Sequence, residues 1–332
     1  MNKSDYKGIW VFVEQINGIV EGSVYELLAK AQDLKAYNGE EIVAVVLGSN
    51  IEDTMIKELI ARGADKVIVA DNAVLAEYSA RPYAQALTQL AEKYFPDIIL
   101  YPATTIGRDL APRMMVSLKT GLTADAIDLL YDEDGCFCQT TPGYGGVIMA
   151  HIAIPEKRPQ MATVRGKIFT ALEPDNARTG EVLHETVDVD ADPAYKMISR
   201  EAVVIEGIPI DQAKIIVSGG RGIKTEEEFA LLRELATLIG GEVASSRPLV
   251  DDGYLPHNKQ IGQSGTTVKP ELIMNFGVSG SMQYVIGMRD SECIVSINKD
   301  DSAPIFDISN YGAVADLKTV LPAVIEEIKK RK

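Results

Sequence analysis

The chain has 332 residues, with 33 Lys+Arg against 48 Asp+Glu, a formal charge of −15 and a pI near 4.8. That balance speaks against nucleic-acid binding and against docking on anionic membranes, and a composition 46% hydrophobic and 24% charged speaks against disordered and fibrous classes. At roughly 150 residues per domain the length suggests two domains; the three cysteines cannot build a disulfide framework and fit a reducing compartment.

Residues 1–7 lead straight into the apolar run 8–13, which Glu14 and Gln15 end. The run is too short for a signal segment, and no stretch reaches the ~18–20 apolar residues that span a bilayer, so a first buried strand and a cytoplasmic protein without membrane insertion are expected. Trp10 in that strand reads as core. Val/Ile-rich runs at 8–14, 41–47, 66–70 and 97–101 lack polar alternation, as strands covered on both faces do. Between them, Ser23 with Glu26 forms a Ser-x-x-Glu capping box, followed by Val24, Leu27, Leu28 and Ala31 on one helical face. Helices are also predicted over 53–62, stopped by Gly63, and 80–94, stopped before Pro96. This alternation predicts a doubly wound α/β domain.

From 125 to 190 the texture changes. Runs at 127–131, 136–140, 147–154 and 161–164 read as antiparallel strands added to that domain. A boundary is placed near 195–205, giving an N-terminal domain over 1–197 and a second α/β domain over 205–332. The second domain opens with a strand at 213–218, the tight loop Gly219-Gly220-Arg221-Gly222, and a helix through 239 whose capping box is Thr225 with Glu228. Strands follow at 242–244, 272–276 and 293–298. A terminal helix over 321–332 ends in four cations, where the helix dipole favours them.

The loop at 219–222 is the first chemical signal. Glycines allow close backbone approach, the helix start favours an anion, and Arg221 offers a forked donor. Loops at 245–248, 260–265 and 277–281 are each read at the C-terminal end of a candidate parallel strand, and such loops converge where open α/β sheets bind ligands. Cys136 and Cys138 with Cys293 are too few for a four-ligand metal or cluster site, and His151, His184 and His257 show no metal spacing, so no metal is expected. The first domain has no phosphate-cradling loop after its first strand; Asn17-Gly18 and Glu21-Gly22 stand there instead.

These strings resemble the electron-transfer flavoprotein alpha subunit. The match is carried by Ser218-Gly219-Gly220-Arg221-Gly222, Ser246-Arg247, Gly262-Gln263-Ser264-Gly265, Gly277-Val278-Ser279-Gly280, Asn298-Lys299-Asp300 and Ala303-Pro304-Ile305-Phe306 in the second half. Gly107-Arg108-Asp109-Leu110-Ala111-Pro112-Arg113, residues 120–125 and residues 158–165 carry it in the first. The resemblance implies an N-terminal nucleotide-hydrolase-like α/β domain that packs on a beta subunit, and a C-terminal Rossmann-like domain that holds FAD. It implies pyrophosphate contacts from Arg221, Gly222, Gly277, Ser279 and Gly280, and an adenosine end at Asn298, Lys299 and Asp316. It implies Arg247 beside the flavin ring, Ser264 facing its N5 and Tyr284 near its C2 carbonyl, with further FAD contacts from Ser246, Gln260, Gly262, Gln263, Gly265 and Gln283. Arg247, Ser264 and Tyr284 would tune the ring: reduction adds negative charge, and a permanently charged guanidinium fixed in a poorly solvated pocket stabilises it. Many members carry Thr at the position of Ser264 and His at that of Tyr284; Tyr284 would only donate a neutral hydrogen bond there. Electrons would enter from a flavoprotein dehydrogenase, of acyl-CoA dehydrogenase type, and leave to another redox partner, within an electron-bifurcating complex or outside one. The alternative is an NAD-dependent enzyme with a deoxyhypusine-synthase-like nucleotide-binding domain.

Overall fold

The computed structural model describes residues 2–143, 148–199 and 207–331, and the chain divides into two compact units, Met1–Arg200 and Glu201–Lys332. The first unit runs β1 (Ile9–Val13), a short hairpin of β2 (Gln15–Ile16) and β3 (Ile19–Val20), α1 (Gly22–Asn38), β4 (Ile42–Gly48), α2 (Asp53–Ala61), β5 (Lys66–Asp71), α3 (Ala80–Tyr94), β6 (Ile98–Pro102) and α4 (Thr105–Leu118). It continues through β7 (Leu122–Ala126), β8 (Asp128–Tyr131), β9 (Phe137–Gly143), β10 (Ile148–Ala153), β11 (Gln160–Val164) and β12 (Glu181–His184). Seven strands form one parallel sheet in the order β12-β5-β4-β1-β6-β11-β7.

The all-apolar strands are explained by that sheet. In β1, Ile9, Val11 and Val13 join Val24, Leu27 and Leu59 of α1 and α2 on one face, while Trp10 and Phe12 join Leu87 and Leu110 of α3 and α4 on the other. Alternate residues are buried by different helix layers, so neither face can be polar.

Two expectations are corrected. Residues 161–164 are not an antiparallel addition: β11 lies between β6 and β7 with every residue buried, as a strand covered on both faces must be. The added antiparallel sheet is β10-β9-β8 alone, and Val147 of the expected third strand lies outside the described residues. Ser23 with Glu26 is not a capping box. The helix starts at Gly22, Ser23 is buried in its first turn, and Glu26 instead accepts hydrogen bonds from the backbone N–H groups of Lys167, Ile168 and Phe169.

Asn17 (φ 52°) and Gly18 (φ 82°) make the left-handed turn of the β2–β3 hairpin, which explains why no phosphate loop follows β1. Glu14, 7% exposed, sits there instead and accepts a hydrogen bond from the Thr104 hydroxyl. Burial pushes its carboxyl above the ordinary value, against the Thr104 bond. A folded-state value above the unfolded one means that stability is greatest below the unfolded pKa and falls as pH rises through the folded one. Glu14→Gln, which stays neutral, should therefore melt higher than the parent at neutral pH, and the gap should close near pH ~4; thermal unfolding at both pH values checks this.

The second unit runs β13 (Ile215–Gly219), α5 (Glu226–Ile239), β14 (Glu242–Ser245), α6 (Arg247–Asp251), β15 (Leu272–Phe276), α7 (Met282–Val285), β16 (Cys293–Asn298), β17 (Tyr311–Val314) and α8 (Leu317–Arg331). Its parallel sheet has the order β14-β13-β15-β16-β17. Helices α5 and α8 cover one face through Phe229, Leu232, Leu321 and Ile325; loops and short turns carrying Ile261, Val268, Tyr284 and Ile305 cover the other. Thr225 caps α5, its hydroxyl accepting from the Glu228 N–H, while the Glu228 carboxylate reaches back to the N–H of Lys224. Helix α8 begins four residues before the expected start, and Lys332 lies outside the described residues, as do 200–205 of the expected boundary.

Candidate functional site

In the second sheet the chain leaves β13 for β14 on one side and returns to β15 on the other, so the strand order switches between β13 and β15. Connections that part in opposite directions leave a crevice at the carboxyl ends of those strands. Two glycine loops meet there. The Gly220 N–H donates to Phe276 O (2.9 Å) and the Gly222 N–H to Gly277 O (3.0 Å). A Cβ on Gly222 would lie 2.6 Å from Gly277 Cα, and Gly277 has φ +64°. Glycine is required on both sides by contact between backbones.

A cleft of about 510 Å³ opens at this junction, with Arg221, Lys224, Lys299 and Lys318 around it against Asp300 and Asp316. Lys318 is held by Glu228 at 2.9 Å. Burial pulls the Glu228 carboxyl up, but the Lys224 N–H and the Lys318 ammonium more than offset it and hold it below the ordinary value. The side chains of Arg221, Lys224 and Lys299 have no ion-pair partner among the described residues. Unpaired cations gathered around one cleft, in a chain of charge −15, make a site for a polyanion such as a diphosphate.

Arg221 and Ser279 also line a second cleft of about 240 Å³, together with Ser246, Arg247, Gln263, Ser264 and Gln283 among others. Its walls are locked by backbone contacts. The Gln263 N–H donates to Gln283 O (2.7 Å), and a Cβ on Gly262 would lie 2.7 Å from that same oxygen. Gln260, 3% exposed, donates its side-chain amide to Ser264 Oγ at 3.1 Å, which leaves the Ser264 proton for an acceptor in the cleft. Gly265 and Gly280 line neither cleft. Each allows a tight backbone crossing, the first against Gln260 O and the second against the N atom of Ile305.

The structure therefore gathers the sequence-predicted residues around two clefts that share a wall, with four differences in detail. Arg247 is not in a poorly solvated pocket: its side chain is 70% exposed, at the start of α6, and its Nε is paired with Asp251 at 3.1 Å. Asn298 is occupied as a brace, its Nδ2 donating to Val278 O (2.8 Å) and its Oδ1 accepting from the Asp300 N–H (3.0 Å). Asp316 accepts from the Lys318 N–H (2.9 Å) at the start of α8, so one of its oxygens is a helix cap. Tyr284 lines the second cleft, but its hydroxyl points away into the core, 2.7 Å from both Ser218 Oγ and Asn275 Oδ1. A carboxamide oxygen only accepts, so the phenol proton is spent on Asn275 and the expected hydrogen bond from Tyr284 to a ligand has no donor. Lys224 and Lys318 went unnoticed in the sequence. The available signal was a lysine just before the Thr225 cap and another one residue into α8.

Among the described residues, no helix is long and apolar enough to cross a membrane and no group of three or more His, Cys, Asp or Glu is placed to hold a metal. Burial pushes the Cys138 thiol up, helped by Asp132.

Residues 9–191 match the family described as "Electron transfer flavoprotein domain", and residues 209–289 the one described as "Electron transfer flavoprotein FAD-binding domain". "Electron transfer flavoprotein subunit alpha" of Thermoanaerobacterium thermosaccharolyticum is 45% identical over 99% of this chain and 100% of that protein. The protein of the same name from Megasphaera elsdenii is 42% identical over 100% of this chain and 99% of its own. "Lactate dehydrogenase (NAD(+),ferredoxin) subunit LctC" of Acetobacterium woodii is 40% identical over 99% of this chain and 78% of its own length. Both domains are matched in order and relatives align from end to end, so the chain belongs to the electron transfer flavoprotein alpha-subunit family, and its second unit is that family's FAD-binding domain.

Proposed function

We propose that the chain is the FAD-carrying subunit of a heterodimeric electron carrier, with a beta subunit packing on its N-terminal domain. It takes electrons from a flavoprotein dehydrogenase and passes them to another redox partner. The observation that carries this reading is the cation-lined crevice at the β13/β15 switch point, inside the stretch that matches the FAD-binding family. Bound FAD supplies reversible uptake and release of electrons.

The protein's own residues would bind and orient it. The Arg221 guanidinium and Ser279 hold the diphosphate where Gly222 leaves room for close approach, and Lys299 with Asp316 faces the adenosine end. The Ser264 proton, directed by Gln260, meets an acceptor in the second cleft. Arg247 on the rim adds a guanidinium, and its exposure in this chain suits a group that a docked partner would cover. Domain limits of 1–197 and 205–332 belong to the same proposal. A place in a complex that joins NAD(+) and ferredoxin chemistry is the second reading, favoured by the similarity to LctC.

The test is to produce the chain together with a beta subunit, count flavin per heterodimer, and mix it with a substrate-reduced dehydrogenase. Bound FAD on this chain that bleaches on mixing supports the proposal; a flavin-free heterodimer, or one the dehydrogenase leaves oxidised, overturns it.

A further inference from the structure

Tyr284 belongs to a buried polar row that crosses the second sheet. Ser218 of β13, Asn275 of β15 and Ser296 of β16 are register partners on neighbouring strands, and all three are fully buried. Asn275 Nδ2 donates to Ser296 Oγ (3.2 Å), the Ser296 hydroxyl to Ser309 Oγ (2.8 Å), whose own proton goes to Ile305 O (2.7 Å), and the Tyr284 hydroxyl closes the other end on Asn275 and Ser218. A row of polar groups under the carboxyl ends of the strands costs desolvation unless every member is paired, and an apolar row would avoid that cost. What the row adds is an anchor for the α7 turn. The Gln283 carbonyl, one residue before Tyr284, receives the Gln263 N–H at 2.7 Å, and Gln263 precedes Ser264. The path from sheet to cleft is therefore Asn275 and Ser218, the Tyr284 hydroxyl, the Gln283 carbonyl, the Gln263 N–H and the Ser264 loop.

We propose that Tyr284 is a positioning residue that fixes the Gln263–Ser264 wall of the second cleft by tying α7 to the Ser218–Asn275–Ser296 row, and offers no hydrogen bond of its own to the ligand. This rests on the FAD reading of that cleft for its effect on binding, but not for its effect on the wall itself.

Tyr284→Phe removes one oxygen and keeps the ring. Amide hydrogen exchange in the FAD-free full chain should then quicken about tenfold at Gln263 and over 281–284, while β13 and β15 keep the parent rate. At a temperature where the variant is fully folded, its heterodimer should bind FAD about tenfold more weakly than the parent. Ser291→Ala, which loses a hydrogen bond to Met288 O (2.6 Å) outside the row, is the control for general loosening and should leave FAD affinity within about twofold. Unchanged exchange at Gln263 overturns the proposal whether or not FAD binds. So does equal weakening by Ser291→Ala, or FAD affinity in Tyr284→Phe equal to the parent's. A parent heterodimer that holds no FAD while exchange at Gln263 still responds would instead contradict the proposed function and leave the positioning role standing.

Discussion

Arg221→Glu should weaken FAD binding about a hundredfold or more while leaving the fold intact. Arg221 is exposed, lines both clefts and has no ion-pair partner among the described residues, so removing it breaks nothing inside the protein. Surface changes of that kind usually alter stability by less than about 0.5 kcal/mol. A charge-assisted hydrogen bond to a phosphate is worth ~1.5–3 kcal/mol, and the reversed charge adds repulsion toward an anion. The sum corresponds to two orders of magnitude or somewhat more in affinity. Flavin fluorescence titration of the apo heterodimer, with far-ultraviolet dichroism as the check on folding, reads both halves of the expectation. A tenfold change or less would mean that the diphosphate lies away from the β13–α5 loop.

Gly222→Ala should fail differently, through the scaffold. The added Cβ would lie 2.6 Å from Gly277 Cα and 3.0 Å from Gly277 O, and backbone atoms cannot swing aside as a side chain would. Either the two glycine loops part, losing the Gly222 N–H to Gly277 O bond, or β13 and β15 shift in register. Overpacking of this sort costs ~1–3 kcal/mol, a drop of several degrees in melting temperature, and FAD should not be retained through purification. Gly22→Ala is the contrast. It sits in the first turn of α1 with nothing within 4 Å of the added carbon and should be neutral or slightly stabilising. Equal melting temperatures for Gly222→Ala and the parent would refute the close-contact account of the switch point.

What could be read from the sequence depended on how local each cause was. Strands β1, β4, β5 and β6 are legible because each is a short run of Val, Ile and Leu that both helix layers must cover. Strand β11 has the same texture but reaches the sheet only after the antiparallel excursion through β8, β9 and β10, and no local pattern says which sheet a strand will join. The edge strands β12 and β17 are short and largely exposed, so their periodicity is weak. The capping pattern at Ser23 and Glu26 was met in composition only, since the carboxylate serves a loop some 140 residues further on. The glycine loops of the site were legible because a strand, a tight turn and a capped helix are contiguous in the chain. The fate of the Tyr284 proton was not: Ser218 lies 66 residues away, and only the folded sheet aligns it with Asn275. Arg247 was read by its charge alone, which says nothing of whether it is covered.

The most direct test of the whole account is an experimental structure of the heterodimer with FAD bound. The diphosphate is expected against Arg221, Gly222 and Ser279, with the ring in the cleft walled by Ser264 and Gln283 and no hydrogen bond from the Tyr284 hydroxyl. Density for the cofactor anywhere other than the carboxyl ends of β13 and β15 would contradict it.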